Sequence, residues 1–158
     1  MPASFETAFT KVTFDLFKRE LQPVAGVRDV LNRLPYEACV ASSGTHEKLE
    51  LTLGVTNLYE FFKGKIFSAS DVRRGKPYPD LFLHAASSMG YNASQCVVIE
   101  DATPGIMAAL AAGMRVLGYA ERSAIEKLSQ AGAKTFTNMD ELLHLLSEFA
   151  MTSHVSIN

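Results

Sequence analysis

The sequence predicts an α/β fold in which helices cover both faces of a parallel sheet. Short apolar segments alternate with segments of helical periodicity, an order typical of parallel sheets. Residues 96–99 are apolar without interruption, as expected for a strand that is buried on both faces. Polar or charged residues follow several of these strands, and open parallel sheets bind their ligands at the carboxyl ends of strands.

The composition is that of a single globular domain. The chain has 158 residues, of which 47% are hydrophobic and 20% charged, and its formal net charge is −2. The sequence contains no block of basic residues that would indicate a nucleic-acid partner. Its apolar runs are all much shorter than the roughly 20 residues that span a membrane. Cys39 and Cys96 lie in predicted strands, where buried free thiols are typical of cytoplasmic proteins. We therefore expect a cytoplasmic protein with neither a nucleic-acid nor a membrane partner.

Residues 5–20 have two interpretations. As a helix, they carry one apolar stripe that contains Val12 and Leu16 and a second on the other side that contains Phe14 and Phe17. As a strand, only residues 12–16 alternate between apolar and polar. We favour the helix, and its two apolar sides predict burial between two bodies.

The next segments place hydroxyl groups at a strand end. Residues 27–34 read as a helix that ends before a proline, and residues 38–41 as a short buried strand. The strand leads into Ser42, Ser43, Gly44 and Thr45, which could form an anion cradle in front of the helix 47–53. An ordinary helix cap from Thr45 is the commoner use of such a loop. His46 lies near this loop, although a lone histidine is more often a surface residue.

A lysine follows the next strand. Residues 65–68 form a weaker strand, Ser70 and Asp71 a turn or cap, and residues 81–89 a helix. Gly75 and Pro77 restrict the backbone on both sides of Lys76, so its ammonium group would be held in place near a phosphate. The alternative is a solvated lysine in a loop.

Two carboxylates follow the central strand. Glu100 and Asp101 directly succeed residues 96–99, and adjacent carboxylates at a strand end suit a hard cation such as Mg²⁺. An acidic loop that only caps the next helix is the alternative. That helix begins with the capping hydroxyl of Thr103 and ends at Gly113 in the left-handed position. A strand at 115–119, a helix at 125–131, an edge strand at 135–136 and a helix at 140–149 complete the chain.

The motifs ASSG, GKPYPD and VIEDATPGIMAALAAGM, in this order, resemble the haloacid dehalogenase superfamily. The similarity is to its β-phosphoglucomutase-like group of sugar-phosphate phosphatases and mutases, to which GVRDVLNRL and AGAKTFTNMDELLHLL are also similar. The resemblance covers about residues 5–149 and implies a Rossmann-like core with a helical cap. It implies that Ser42 binds the transferring phosphoryl group, that Lys76 neutralises its charge, and that Asp101, with Glu100 beside it, binds Mg²⁺. The substrate would be a small phosphorylated metabolite.

The chain departs from the family pattern at its start. The family begins with a strand that ends in Asp-x-Asp, whose first aspartate attacks phosphorus, and no aspartate here has another two residues later. The segment most similar to this motif begins at Asp15, but Phe17 stands where the family has its second aspartate. Residues 1–22 resemble instead the last helix of the cap, which leads into a core at 23–150 and a flexible tail at 151–158.

The strand that is absent would lie at the centre of the sheet, between residues 38–41 and 96–99. Unpaired buried backbone groups cost roughly 1–3 kcal/mol each, against a typical total stability of about 5–15 kcal/mol. We expect the gap to be filled by residues 12–17 as a strand, by closure of the sheet, or by self-association or a partner chain. The chain is then an incomplete, inactive phosphatase or phosphomutase, or alternatively a non-catalytic remnant that binds phosphate or a partner protein.

Overall fold

The computed structural model describes residues 3–120 and 125–152, and it confirms the α/β class. Strands and helices alternate, and every strand pair is parallel. The helices of the described part are α1 (Ala3–Glu20), α2 (Val27–Arg33), α3 (His46–Val55), α4 (Tyr59–Phe62), α5 (Asp80–Ser88), α6 (Thr103–Ala111), α7 (Ile125–Gln130) and α8 (Leu142–Thr152). The strands are β1 (Val40–Ser42), β2 (Ile66–Ser68), β3 (Val97–Glu100), β4 (Arg115–Tyr119) and β5 (Lys134–Phe136).

Most elements lie within one or two residues of the ranges expected from the sequence. The helical interpretation of residues 5–20 is confirmed by α1, and the alternative strand at 12–16 is wrong. Helix α4 was not predicted, because a single turn of four residues shows no periodicity. Before α8, the Asn138 side chain accepts from the Asp140 backbone N–H, while Glu141 accepts from the Asn138 N–H, so a capping box is present there.

Helices pack on both faces of the larger sheet because β4 alternates between two cores. Val116 joins a cluster with residues of α5, α6 and α7, whereas Leu117 and Tyr119 join residues of α2, β5 and α8 on the other face. The first cluster is rich in alanine, which allows α6 to approach the sheet closely. The amphipathic pattern of the sequence thus becomes a two-faced core.

The strands form two separate sheets. One contains β1 and β2, with Ser42 opposite Ser68, and the other contains β3, β4 and β5 in that order. Among the described residues, no strand pairs with the second edge of β1 or with the outer edge of β3. Helix α5 contacts β1 and β2 and also α6, so it links the two sheets across this opening. Ile99 on β3 is 38% exposed, which is unusual for a central strand and agrees with an uncovered edge.

The gap expected from the sequence is therefore present, and two of the three candidates for filling it are excluded within the described residues. Residues 12–17 belong to α1, and β1 does not close onto β3.

Helix α1 corrects one expectation about burial. Val12 is 59% and Leu16 40% exposed, so this stripe is not buried between two bodies. The reason is that α1 packs against α3 on one side, while nothing in the described chain covers the side that carries these residues. The more N-terminal members of the stripe, Phe5, Ala8 and Phe9, have side chains outside the described residues.

At the other end, α8 continues to Thr152 and residues 153–158 lie outside the described residues, so the flexible tail and the division at residue 22 stay predictions. None of the described helices has the length and apolarity that crossing a membrane requires.

Gly113 provides a test of the helix boundaries. Its φ is +74° after α6, and a Cβ there would contact nothing within 4 Å, so any cost of a side chain is conformational. We expect Gly113→Ala to lower the free energy of unfolding by about 1–2 kcal/mol. Gly54 within α3 is the matched control, because its Cβ site is equally open and its backbone is helical. Gly54→Ala should raise stability by about 0.5–1 kcal/mol, and denaturant midpoints that move in the same direction would contradict the assignment.

Candidate active site at the sheet opening

Lys76 and Glu100 form an ion pair that joins the two sheets. The Lys76 Nζ lies 2.6 Å from the Glu100 Oε2, and their side chains are only 13% and 10% exposed. Lys76 belongs to the segment after β2, whereas Glu100 ends β3. The same ammonium lies 4.7 Å from the centre of the Phe82 ring, a cation–π distance. Lys76 is thus a positioned cation and not a solvated loop lysine.

A tight turn presents Lys76. The Gly75 carbonyl accepts from the Tyr78 N–H at 3.0 Å, and the Lys76–Pro77 peptide bond is cis. Arg74 donates two hydrogen bonds to the Asp80 carboxylate, from Nε at 3.0 Å and from Nη2 at 2.8 Å. The hydrogen bond from Arg74 lowers the pKa of Asp80, which keeps this carboxylate ionised at the start of α5. Both ends of the Lys76 turn are therefore fastened.

Glu100 accepts hydrogen bonds at both of its carboxylate oxygens. Its Oε2 receives Lys76, and its Oε1 receives the backbone N–H groups of Asp101 at 3.1 Å and Ala102 at 3.2 Å. Gly105 on α6 makes this arrangement possible, because a Cβ there would lie 2.0 Å from the Glu100 carboxyl carbon. Glu100 thus holds Lys76 and shapes the acidic loop, and both its oxygens are committed to these hydrogen bonds.

The acidic loop bears on the expectation of a metal. Asp101 is exposed beside Glu100, and a carboxylate is a suitable ligand for Mg²⁺. No group of three or more His, Cys, Asp or Glu side chains that could hold a metal ion occurs in residues 3–120 and 125–152.

Thr103 departs from its predicted role. Ala102 is the N-cap of α6, and Thr103 is the first helical residue. The reason is that Ala102 takes an extended conformation, in which its N–H is held by Glu100. The Thr103 Oγ1 is buried without a hydrogen-bond partner among the described residues. A buried hydroxyl without a partner is costly, and it marks a place where another group could bind.

The hydroxyl-rich loop follows β1 as predicted. The Ser42 Oγ accepts from the Gly44 N–H at 3.2 Å, so the hydroxyl hydrogen of Ser42 remains available to donate. Ser43 is exposed, and Thr45 caps α3 by accepting from the Lys48 N–H at 3.4 Å. The loop therefore contains the ordinary helix cap, and Ser42, Ser43 and Gly44 precede that cap.

The sequence did not connect Ser68 or Asp71 with this loop, although it predicted Asp71 in a turn or cap, as the structure confirms. Ser68, at the end of β2, is fully buried and its Oγ donates to the Gly44 carbonyl at 2.7 Å. Asp71 accepts from the Ser68 N–H and contacts His46 at 2.7 Å. The backbone hydrogen bond from Ser68, and then His46, lower the pKa of Asp71. A Ser-x-x-Asp capping box was the available signal, but its link to a loop 24 residues earlier is a tertiary contact.

With this geometry described, comparisons with known proteins define the class: the chain belongs to the haloacid dehalogenase-like hydrolases, whose family model matches residues 2–119. It is 31% identical over 130 residues to the 6-phosphogluconate phosphatase of Escherichia coli K12, a match that covers 82% of this chain and 59% of that protein. The resemblance to the sugar-phosphate phosphatase group of this superfamily is thereby confirmed.

Solved structures share the fold. A family hydrolase from Deinococcus radiodurans R1, with bound phosphate and sodium, is 29% identical with a TM-score of 0.81, over 95% of this chain and 69% of that one. A putative β-phosphoglucomutase from Thermotoga maritima has a TM-score of 0.82 at 24% identity, over 92% of this chain and 69% of that one. The chain thus spans about three fifths of the curated phosphatase named above and about seven tenths of these structures.

The bridging ion pair can be tested by substitution. Lys76→Met leaves the Glu100 carboxylate buried without its cation, so we expect a loss of about 3–5 kcal/mol in the free energy of unfolding. Adding Glu100→Gln removes the stranded charge but keeps an acceptor for the two backbone N–H groups. The double variant should therefore lose less than the sum of the two single variants.

The control is Lys134→Met, which breaks the exposed pair of Lys134 with Glu148 and should change stability by no more than about 1 kcal/mol. Equal denaturant midpoints for Lys76→Met and Lys134→Met would show that Lys76 does not hold the two sheets together.

Proposed function

We propose that this chain carries the phosphate-binding part of a Mg²⁺-dependent phosphatase or phosphomutase that acts on a small phosphorylated metabolite such as a sugar phosphate. The observation that carries the proposal is Lys76, held by Glu100 where the loops after β1, β2 and β3 leave the sheets. A fixed ammonium in a water-poor setting can neutralise charge on a phosphoryl group. The E. coli relative is a 6-phosphogluconate phosphatase, which favours a sugar phosphate.

Each residue of the site has a separate task in this proposal. Ser42 donates its hydroxyl hydrogen to a phosphoryl oxygen, while its oxygen accepts from Gly44. Ser43 and Gly44 form the rest of the cradle, and Lys76 neutralises the charge. Asp101 is the main ligand for Mg²⁺, which when bound would offset phosphate charge. Because Glu100 is occupied by Lys76, it acts mainly as the residue that positions the lysine.

The described residues bind and orient, but they supply no attacking carboxylate. Asp15, the one earlier candidate, lies on α1, not at the end of a strand. A family phosphatase would need an aspartate that forms a phosphoaspartate and is then released by water. We therefore propose that the chain alone is inactive and that activity requires a further strand.

The opening between β1 and β3 is the place proposed for that strand. Both strands leave one edge unpaired within the described residues, Ile99 is uncovered, and Thr103 Oγ1 lacks a partner there. An inserted parallel strand would satisfy the backbone groups and place its carboxyl end near Lys76. We propose that self-association or a partner chain supplies this strand. The free thiols Cys39 and Cys96 support a cytoplasmic setting.

Metal binding is expected to be weak and centred on Asp101. Isothermal titration of the chain with MgCl₂ should show weak binding. The affinity for Mg²⁺ should fall at least about tenfold in Asp101→Asn. Asp140→Asn is the matched control, because Asp140 lies in the exposed turn before α8. Unchanged binding in Asp101→Asn would refute the assignment of this ligand.

Catalysis can be tested by complementation. The chain with MgCl₂ should hydrolyse an aryl phosphate no faster than its Lys76→Ala variant. A synthetic peptide of a β-branched strand that ends in Asp-x-Asp should produce activity with the chain, but not with Ser42→Ala or Lys76→Ala. The same peptide with asparagines in place of both aspartates is the control.

Two other results are informative. Activity of the chain alone that vanishes in Asp15→Asn would overturn the absence of a nucleophile. Phosphate binding without activity at any peptide concentration would favour the non-catalytic remnant.

A further inference from the structure

The loop after β1 is fastened to the end of β2 by two contacts beyond the strand ladder. The Ser68 Oγ donates to the Gly44 carbonyl at 2.7 Å, and the His46 Nε2 lies 2.7 Å from the Asp71 Oδ1. These three residues, Ser68, Asp71 and His46, are called the β2 clamp below.

We propose that the β2 clamp fixes the conformation of the Ser42–Thr45 loop before any ligand arrives and thereby prepares it to bind phosphate. The second half of this inference rests on the function proposed above. His46, Asp71 and Ser68 are then positioning residues, because they act through the loop and need not touch the substrate.

Ser68 holds the middle of the loop. Its hydroxyl is fully buried, donates to Gly44 and accepts from the Ser70 N–H at 3.1 Å, so it is fully used inside the protein. Because Gly44 also donates its own N–H to Ser42, this glycine is held on both sides. A trans peptide is planar, so fixing the Gly44 carbonyl toward β2 turns the following Thr45 N–H away from β2. The clamp therefore sets the direction of the Thr45 N–H, directly after the proposed cradle of Ser42, Ser43 and Gly44.

Asp71 holds the end of the loop. One oxygen accepts from the Ser68 N–H at 2.8 Å, and the other receives the His46 ring. The lowered pKa of Asp71 keeps it ionised at neutral pH, so the Nε2 of His46 must carry the hydrogen. Asp71 also begins the segment that leads to Lys76, so the same carboxylate ties the loop to the chain that presents the lysine.

The exposure of the His46–Asp71 pair favours positioning over stability. The His46 side chain is 45% exposed, and such pairs add little to global stability. A loop that is already ordered, in contrast, loses less conformational entropy when a ligand binds. The expected effect of the clamp is thus on loop order and phosphate affinity and only weakly on unfolding.

The test uses the full chain labelled with ¹⁵N. We expect the backbone order parameters of Gly44 and Thr45 to be about 0.85 in the parent chain and to fall below about 0.6 in His46→Gln. Inorganic phosphate, followed by the amide shifts of this loop, should bind about three- to tenfold more weakly to His46→Gln. The imidazole ¹⁵N spectrum should show the Nε2–H form of His46, and Asp71→Asn should lose this preference.

Matched controls separate the clamp from general destabilisation. His144→Gln removes a histidine from an exposed pair with Glu148, and Ser147→Ala removes a hydroxyl that donates to the His144 carbonyl. Both should leave loop order and phosphate affinity unchanged. Ser68→Ala should loosen the loop as His46→Gln does. If Ser68→Ala unfolds because Ser68 is buried, the His46→Gln variant still tests the clamp, since His46 is exposed.

Three outcomes are decisive. Unchanged order of Gly44 and Thr45 in His46→Gln would overturn the clamp, whatever phosphate does. A loosened loop with undiminished phosphate affinity would overturn its role in binding. If the parent loop is ordered but its amide chemical shifts do not change when phosphate is added, the proposed function is overturned. The inference that the clamp fixes the loop would stand in that case.

Discussion

The structure depends on one buried ion pair, in which Lys76 from the segment after β2 meets Glu100 at the end of β3. The two sheets share no strand pairing among the described residues, and this contact and helix α5 are among the contacts that join them. Removal of either partner lowers the free energy of unfolding, because the remaining charge would be buried without a counter-charge. The pair therefore fixes the spacing of the two sheets at the place where a phosphate would bind.

The same pair constrains the chemistry. Because Glu100 also receives two backbone N–H groups, its carboxylate organises the acidic loop, and Gly105 must lack a side chain to make room for it. Asp101 is the residue that we propose as the main ligand for a cation. Lys76 supplies the positive charge in the function proposed above, which also requires a carboxylate from elsewhere to attack phosphorus.

The opening between β1 and β3 gives the fold its second constraint. A parallel sheet is stable when both faces and all interior edges are covered, and the described chain covers both faces of the larger sheet but not these edges. The exposed Ile99 lies on β3, and the Thr103 hydroxyl, which has no partner among the described residues, lies shortly after that strand. This opening is where we propose that a further strand completes the site.

The sequence by itself determined the class, the order of elements and the residues at the strand ends. Periodicity is local, so α1, the apolar strand β3 and the positive φ at Gly113 could be recognised from neighbouring residues. The resemblance of ordered motifs also led to the expectation of an absent strand, since Asp-x-Asp is a local pattern. Asp15 could be set aside once residues 12–17 proved helical.

Only the tertiary structure decided how these residues are used. Glu100 and Asp101 look equivalent in sequence, yet one is committed to a lysine 24 residues earlier in the chain. Ser68 supports Gly44 across the same separation, and no periodicity encodes that contact. The burial of α1 was misjudged because an apolar stripe shows that a helix can be covered, but not whether a covering body is present. Long-range pairing depends on where the whole chain places its segments, and this is information that no short window of sequence contains.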